Sequence, residues 1–352
     1  MQKQNNRIKG SGFWWKFFLV ATILSGLAGL LYISDEFIFK KKILTAVITL
    51  KIPVYTIPIF LILLILSILV YIKLKAREES KIKSEKDVEK LHLNLLGIVP
   101  SLPREGIEVE SEKSQEPFSE IKRGEESKVK QIELANHYYP AMSISEFYRT
   151  IRTSIMFSHL DRTNSVRNIV IISANRMEGR SSIIANLAVS FAEMGEKVLV
   201  VGTDLRNPRL HQIFKVKKSP GLNRFLRGKI TLKEAFRKTS IKNIYLLPSG
   251  ARFQDPLALL GGLWMFNLME EVKAGGFDYI FYDTPPMLDV ADASIVSSYA
   301  DCAILVISAG LSNQKEIKRV LNILEQKRAR ILGVILNNAM IKEKDYPSYF
   351  FR

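Results

Sequence analysis

The stretch 168–194 constrains the fold more than any other part of the chain. A run of β-branched apolar residues, Asn168–Ser173, leads into a short irregular segment and then into an apolar-periodic helix from about Ser181. Continuous apolar runs of this length are typical of parallel strands buried on both faces. Strand, turn and helix in this order form a P-loop, whose backbone N–H groups and helix N-terminus face an anion. We therefore expect an α/β domain built around a phosphate-binding turn.

The turn matches the P-loop pattern G-x-x-x-x-G-K-[ST] only in part. The last glycine, Gly179, and the hydroxyl of Ser181 are present, but the first glycine is Ala174 and the lysine is Arg180. An ordinary strand–loop–helix with one glycine fits this stretch as well, so other residues must support the phosphate-binding interpretation. The residues that we predict to contact a nucleotide are Asn175, Arg176, Met177, Glu178, Gly179, Arg180, Ser181 and Ser182.

Strand and helix signals alternate through the rest of the chain to about residue 340. Alternation of this kind predicts a mainly parallel sheet with helices on both faces. Further strands are predicted at Val198–Thr203, Ile244–Pro248, Tyr279–Asp283, Ala303–Ser308 and Ile331–Asn337. Helices are predicted at Ser182–Met194, Leu257–Lys273, Val290–Tyr299 and Lys315–Gln326. The fold class is therefore α/β of the P-loop NTPase type.

Carboxylates follow two of these strands. Asp204 comes after the second strand and Asp283 ends the fourth. Ligands of open α/β sheets bind at the carboxyl ends of strands, and P-loop enzymes place a carboxylate there to hold Mg²⁺. Asp283 by itself could be a helix or turn cap, but with Asp204 and the Ser181 hydroxyl it makes a predicted magnesium site. ATP and Mg²⁺ are the expected cofactors.

Two apolar, uncharged runs precede this domain, at 17–33 and 52–72, and each is near the length needed to cross a bilayer. A signal peptide is the alternative for the first run, but no convincing cleavage site follows it. Basic residues in the tail 1–16 and after residue 72 favour both termini in the cytoplasm, although Lys40–Lys42 in the loop 34–51 oppose this orientation. We predict a two-helix transmembrane hairpin in the cytoplasmic (inner) membrane that carries a cytoplasmic domain.

The segment 73–135 is charged and poor in aromatic residues, which predicts a mostly disordered linker. One apolar island interrupts it at Leu91–Pro103, and a short ordered docking segment and a sticky linker fit this island equally well. The nucleotide-binding domain is predicted over 136–340, and a tail over 341–352. The single cysteine, Cys302, lies in an apolar run and is expected to be a buried core residue.

The net charge of +16 favours anionic partners. A basic run extends over Arg206–Lys242, and a solvated face is its simplest explanation. The alternatives are contact with the anionic inner leaflet of the membrane and, with least support, nucleic acid, because no aromatic residues alternate with these cations. We expect no nucleic-acid partner. The four histidines lack metal-ligand spacing, so no transition-metal site is expected.

The chain from about residue 90 to 340 resembles the bacterial tyrosine kinases of capsule and exopolysaccharide systems. The matching pieces are EFYRTIRTSIMF, SANRMEGRSS, VLVVGTDLRNPRLH, GLNRFLRG, LLPSGARFQDPLALL, FDYIFYDTPPMLDVADA and ADCAILVISAG. The resemblance implies an ATP·Mg²⁺-dependent kinase that phosphorylates tyrosines in the tail of a neighbouring subunit. It also implies partners among polysaccharide polymerase and export proteins. The family's large external domain between the membrane helices is replaced here by the short loop 34–51.

The resemblance further implies assembly through a Glu-x-x-Arg-x-x-Arg helix, here Glu146, Arg149 and Arg152, as a homo-oligomer or with a related kinase. An ordinary salt bridge on a solvated helix is the alternative. The tail offers two phosphoacceptor candidates, Tyr346 and Tyr349, in place of a dense tyrosine cluster. Aromatic packing or a loose chain end fits these two tyrosines equally well.

The departures from the family pattern fall where the chemistry is expected. Arg180 keeps the charge of the P-loop lysine, but its planar fork does not fit the same slot. Gly202 replaces the first aspartate of the second motif, the family's general base, and loss of a general base costs about 10²–10⁴ in rate. We therefore expect a catalytically weak or inactive family member, with Arg180, Asp204 and Asp283 as the remains of its catalytic centre. The alternatives are an active tyrosine autokinase, a membrane-tethered positioning ATPase of the partition or septum-site type, and a scaffold without nucleotide. Asn175 stands where a positioning ATPase carries its signature lysine.

Overall fold

The computed structural model describes residues 56–101, 134, 137, 143–158 and 167–340. The chain divides into two units, Met1–Lys75 and Ala76–Arg352. The described part of the first unit belongs to helix α1, Thr56–Glu79, in which the large apolar side chains from Leu61 to Ile72 are exposed, except for the half-buried Leu64. Among the described residues we find no helix that combines the length and the apolar composition required to cross a bilayer. The predicted span 17–33 and the loop 34–51 lie outside the described residues.

The second unit is organised by one sheet. Its strands are β1 (Leu95–Pro100), β2 (Asn168–Ser173), β3 (Val198–Gly202), β4 (Arg237–Lys238), β5 (Ile244–Leu247), β6 (Tyr279–Asp283), β7 (Cys302–Ser308) and β8 (Ile331–Ala339). The described strands form an eight-stranded sheet in the order β1-β8-β7-β2-β6-β3-β5-β4. All neighbours are parallel except β4 and β5. The predicted mainly parallel α/β fold is therefore confirmed, with an antiparallel strand at one edge.

The helices cover both faces of this sheet. Their bounds are α2 (Glu85–Glu89), α3 (Ser143–Phe157), α4 (Arg180–Glu193), α5 (Leu210–Ile213), α6 (Leu222–Phe225), α7 (Leu232–Ala235), α8 (Pro256–Leu260), α9 (Leu263–Ala274), α10 (Asp292–Tyr299) and α11 (Gln314–Gln326). Helices α3, α4 and α5 contribute to the core on one face. Helices α6 to α11 contribute to the core on the other face.

Strand β2 shows why apolar runs without polar alternation fold in this way. Every residue of β2 is buried, with Ile169 and Ile171 in one core and Val170 and Ile172 in the other. Successive side chains of a strand point to opposite faces, so a strand between two helical layers needs apolar residues at both positions. The carboxyl end of β2 therefore lies in the middle of the sheet, between the ends of β7 and β6.

The segment 80–101 is part of the second unit. Strand β1 pairs in parallel with β8 at the sheet edge, so residues Leu95–Pro100 of the apolar island are part of the sheet. Upstream, the N–H of Ile82 donates to the carbonyl of Ser312 at 2.9 Å, and the N–H of Gly310 donates to the carbonyl of Ile82 at 2.8 Å. These two hydrogen bonds connect the segment around Ile82 to the loop between β7 and α11.

Two helical segments differ from their predicted form. The helix predicted over Leu257–Lys273 is interrupted by Gly261 and Gly262, which separate α8 from α9. The 206–242 region, which we predicted only as a basic run, contains α5, α6, α7 and the edge strand β4. These elements are too short for an apolar period to reveal them.

Candidate functional site

The carboxyl ends of β2, β6 and β3 adjoin in the sheet, and the loop 174–179 connects β2 to α4. Two residues of this loop adopt left-handed backbone conformations, Met177 with φ 64° and Gly179 with φ 95°. The left-handed backbone conformation favours glycine over residues that carry a Cβ atom. Met177 adopts it nevertheless, and its side chain is 89% exposed. The predicted strand–turn–helix is therefore present, and its turn lies at a helix N-terminus, the position at which such loops can bind anions.

Glu178 braces the turn from within. Its carboxylate is buried, and its Oε2 accepts from the N–H of Asn175 at 2.9 Å. Its Oε1 accepts from the hydroxyl of Ser312 at 2.6 Å. The amide of Asn337 donates to the Glu178 carbonyl at 3.0 Å. Burial raises the pKa of Glu178, and the Ser312 hydrogen bond partly offsets this rise. Glu178 therefore shapes the loop, a role that its assignment as a nucleotide contact did not include.

Arg180 is folded under the turn. Its Nε donates to the carbonyl of Thr284 at 2.9 Å, and its Nη1 donates to the Ser173 hydroxyl and, at 3.2 Å, to the Asn175 carbonyl. The side chain is only 10% exposed. The three partners belong to the ends of β2 and β6 and to the turn, so the guanidinium joins the strand ends to the loop.

Asp283 and Ser181 meet as predicted. The Ser181 hydroxyl donates to Oδ2 of Asp283 at 2.7 Å. The other oxygen, Oδ1, is buried without a hydrogen-bond partner among the described residues. Burial raises the pKa of Asp283 to about 6, and the positive charge of Arg180 opposes the rise. An orphaned buried carboxylate oxygen beside a serine hydroxyl is a suitable ligand pair for a hard cation.

Asp204 lies beside this pair but is differently engaged. Its backbone N–H donates to the carbonyl of Asp283 at 2.9 Å. Its Oδ1 accepts from the N–H groups of Arg206 and Asn207 at 3.0 and 2.7 Å. Arg206 in turn forms a two-point ion pair with the fully buried Asp292, at 2.8 and 3.2 Å. The loop after β3 is thus held in place by its own carboxylate and by α10.

Gly202 stands at the position where the resemblance implies an aspartate. A Cβ atom built at Gly202 would lie 2.5 Å from the Ser249 hydroxyl and 3.0 Å from the Ser249 backbone nitrogen. Because distances below 3.0 Å are not observed for real Cβ atoms, the space for a side chain is occupied by the loop that follows β5. The sequence reveals the missing aspartate but not that Ser249 fills its place.

A nucleotide with Mg²⁺ fits the residues present, on the evidence of the orphaned Asp283 oxygen and the left-handed turn. Ser181 and Asp283 would hold the cation, with Asp204 close enough for its charge to act on Asp283. Within the described ranges, no group of three or more His, Cys, Asp or Glu residues could hold a metal by itself. Magnesium in phosphate sites needs only one or two carboxylates because substrate phosphates and water complete its shell.

The predicted assembly helix, α3, uses its charged residues within the chain. Arg149 pairs with Glu146 one turn away and lies 3.6 Å from Glu193 of α4. Arg152 donates to the backbone carbonyl of Ser190. Glu146 and Arg149 remain about one-third exposed or more, so part of this surface is still accessible. The tail tyrosines Tyr346 and Tyr349 lie outside the described residues.

Sequence reasoning missed the residues that support the site. Ser312, Asn337, Thr284 and Ser249 come from loops and strand ends far apart in the chain and match no short motif. One signal was available, since Ser249, Thr284 and Ser312 follow predicted strands and Asn337 ends one, and ligand-site residues of parallel sheets concentrate at strand ends.

Comparisons with known proteins support this geometry. A family model described as an AAA domain matches residues 166–338. The tyrosine-protein kinase YwqD of Bacillus subtilis (strain 168) is 37% identical over 206 residues, which are 58% of this chain and 86% of YwqD. The tyrosine-protein kinase CpsD of Streptococcus pneumoniae serotype 4 is 35% identical over 202 residues, which are 57% of this chain and 87% of CpsD.

Solved structures agree with the sequence comparison. The chimerical protein CapA2B2 superimposes with a TM-score of 0.62 at 29% identity, over 73% of this chain and 100% of the chimera. The BceF tyrosine kinase domain superimposes with a TM-score of 0.61 at 26% identity, over 73% of this chain and 98% of that domain. Because YwqD and CpsD are both more than 30% identical to this chain and are matched over more than four-fifths of their own length, the chain belongs to the bacterial tyrosine-protein kinase family.

Proposed function

We propose that this protein is a membrane-anchored member of the tyrosine kinase family that binds ATP·Mg²⁺ but transfers phosphate weakly or not at all. The observation that carries the proposal is the position of Arg180. Its guanidinium is directed at Thr284, Ser173 and Asn175 and is almost buried. A P-loop lysine acts as a point charge on the terminal phosphates, and a guanidinium held by three protein oxygens is not free to do so.

Gly202 supports the same proposal from the other side of the site. A general base accepts the proton of the attacking hydroxyl, and no carboxylate can occupy this position while Ser249 stands against it. Asp204 is the nearest acid in the loop, but its Oδ1 already caps two backbone N–H groups. Loss of the base and of one electrostatic contact costs about 10²–10⁴ and 10²–10³ in rate, and these losses need not multiply.

Binding makes fewer demands than phosphate transfer. The backbone of the turn and the N-terminus of α4 offer N–H groups to phosphate, and bound Mg²⁺ supplies charge neutralisation at the phosphates. Ser181 and Asp283 keep the arrangement that a magnesium ligand pair needs. Nucleotide binding can therefore persist and act as a conformational signal.

Regulation of capsule or exopolysaccharide polymerisation and export is the role that we infer for such a signal. The named kinases CpsD and YwqD support the family assignment, and the two apolar, uncharged runs of the sequence at 17–33 and 52–72 support the membrane anchor. We propose partners among polysaccharide polymerase and export proteins, and self-assembly or assembly with a related kinase through Glu146, Arg149 and Arg152.

The test is to incubate the full-length chain with labelled ATP and Mg²⁺ and to measure nucleotide affinity by titration in parallel. We expect measurable ATP binding that weakens when Mg²⁺ is removed, and little or no phosphotyrosine. Robust labelling of Tyr346 or Tyr349 contradicts the weak-catalysis proposal and establishes the active autokinase. Absence of any ATP binding contradicts the proposed nucleotide binding and favours a scaffold without nucleotide.

A further inference from the structure

The strongest unassigned surface joins the basic run to an exposed apolar patch. The segment 206–242, here named the basic lobe, holds twelve Lys and Arg residues and one acid, Glu234. Glu234 is engaged as the partner of Thr231 at the start of α7, where it accepts from both the N–H and the hydroxyl of that residue. The lobe therefore presents one sign of charge.

The apolar patch lies on the α8–α9 segment. Leu263 is 74% exposed, and Trp264, Phe266 and Leu257 are between 41% and 49% exposed. The inward face of α9 is buried in the core through residues such as Met265 and Leu268, whereas these four apolar side chains stay at least 41% exposed. Exposed large apolar residues that are grouped rather than scattered indicate an interaction surface.

The two features touch. The ring of Phe225 in the lobe packs edge-on against Trp264 with centroids 5.9 Å apart. A Cβ atom at Gly228 would lie 3.0 Å from the Trp264 ring, and Gly228 is flanked by the exposed cations Arg227 and Lys229. Among the described residues no carboxylate forms a salt bridge with Arg224, Arg227 or Lys229. Exposed cations thus border an exposed indole.

We propose that this surface, the basic lobe together with Leu263, Trp264 and Phe266, docks on the anionic lipid surface of the membrane. Tryptophan and phenylalanine partition to the bilayer interface, and clustered Lys and Arg bind anionic headgroups. Apolar side chains beside cations are the combination that interfacial segments use. Glu270 and Glu271 lie on later turns of α9 and limit the patch to its first turns.

A lipid surface fits better than the alternatives. A nucleic acid gains nothing from an exposed leucine, and the Trp264 indole is packed against Phe225 and Gly228 instead of offering both ring faces to bases. A second copy of the chain remains as an outcome of the test. This inference goes beyond the proposed function, since it concerns how the domain is held and not what it does with ATP.

The test places a reporter at the centre of the patch. Cys302 is fully buried, and burial raises the pKa of its thiol to about 12, so a Leu263→Cys variant of the full-length chain can be labelled selectively at position 263. An environment-sensitive fluorophore there is measured in bilayer nanodiscs of phosphatidylcholine alone or with phosphatidylglycerol. Quenching by lipid-attached nitroxide reports contact with the bilayer.

We expect a blue shift and strong quenching only with phosphatidylglycerol. Raising the ionic strength from about 0.1 M to about 1 M should reverse both, because the screening length falls from about 10 Å to about 3 Å. Replacing Arg224, Arg227, Lys229 and Lys233 by Gln should reduce quenching at least about fivefold. A matched control replaces Lys315, Lys318, Arg319 and Lys327 of the α11 region by Gln and should leave quenching unchanged.

Three results overturn the proposal. Equal quenching in neutral and anionic bilayers would show that charge does not drive the contact. An equal loss of quenching in the two four-site variants would show that the basic lobe is not the surface that binds. A blue shift that appears without lipid and grows with protein concentration assigns the patch to a second copy of the chain. ATP affinity measured on the same samples separates these outcomes from failure of the nucleotide site.

Discussion

The Nε atom of Arg180 lies 4.0 Å from Oδ1 of Asp283 and donates its hydrogen bond to the Thr284 carbonyl instead. The two charges therefore attract each other without sharing a hydrogen bond, and Oδ1 stays unpartnered. Arg180 is the counter-charge that opposes the rise in the Asp283 pKa. The guanidinium of Arg180 is therefore engaged by protein groups at the ends of β2 and β6 and in the turn.

Arg180→Lys tests this use of the cation. A lysine cannot hold Thr284, Ser173 and Asn175 together, so we expect the free energy of unfolding to fall by about 1–2 kcal/mol. The ammonium group is then free to turn toward phosphate, and ATP affinity should rise by up to about tenfold, or about 1.4 kcal/mol. Calorimetric titration with ATP·Mg²⁺ measures the change, with Arg319→Lys on α11 as the control. Unchanged affinity and unchanged stability would show that the buried contacts of Arg180 are unimportant.

Gly202→Asp tests the space beside Ser249. The new side chain must displace the Ser249 hydroxyl, so the single variant should lose about 1–3 kcal/mol of stability. Adding Ser249→Ala should restore most of that loss, whereas Ser249→Ala alone should be nearly neutral. In the double variant, the restored base should raise autophosphorylation by about 10² or more. Denaturant unfolding measures the change in stability, and incorporation of label from ATP measures autophosphorylation. A Gly202→Asp single variant that is as stable as the native protein contradicts the packing argument.

The raised pKa of Asp283 makes stability depend on pH in the metal-free protein. The folded carboxyl keeps its proton up to about pH 6, whereas the unfolded one loses it near its ordinary value of 3.8. The folded state therefore binds more protons in this window, and stability must fall as the pH rises from about 4 to 6. The shift corresponds to about 1–3 kcal/mol.

Unfolding in the presence of a chelator, as a function of pH, measures this dependence. Asp283→Asn should flatten the curve in that window, and Mg²⁺ with nucleotide should stabilise the native protein more at pH 7 than at pH 5. A curve for Asp283→Asn that superimposes on the native one would assign the pH dependence to other groups.

Ser312→Ala tests the brace under the P-loop. The Ser312 hydroxyl donates to Glu178 and accepts from the N–H of Ser308 at 2.9 Å, and all of these groups are buried. Removing it leaves two buried polar groups short of a partner, which should cost about 2–3 kcal/mol. Ser298→Ala, at an exposed hydroxyl of α10, should cost less than about 0.5 kcal/mol. Hydrogen exchange of residues 174–179 should become faster only in Ser312→Ala. Equal losses of stability in the two variants contradict the role of Ser312 in supporting the P-loop.

The parts of the fold that the sequence predicted are those encoded by local pattern. Strands β2, β6 and β7 are unbroken apolar runs, because strands between two helical layers bury both faces. The apolar island that contains β1 has charged segments on both sides, so the local pattern leaves open whether it is ordered, and its order depends on pairing with β8. The break between α8 and α9 was missed because an apolar period continues across Gly261 and Gly262.

By itself, the sequence determined the parallel α/β architecture, the P-loop and the juxtaposition of Ser181 with Asp283, because strand ends in a parallel sheet share one edge. Only the tertiary structure decided where Arg180 points, what occupies the space at Gly202 and which aromatic side chain borders the basic lobe. Each of these depends on atoms from chain segments far apart in sequence, Thr284, Ser249 and Trp264 among them. Periodicity encodes which face of an element is buried, but it carries no information on the partner that a side chain meets there.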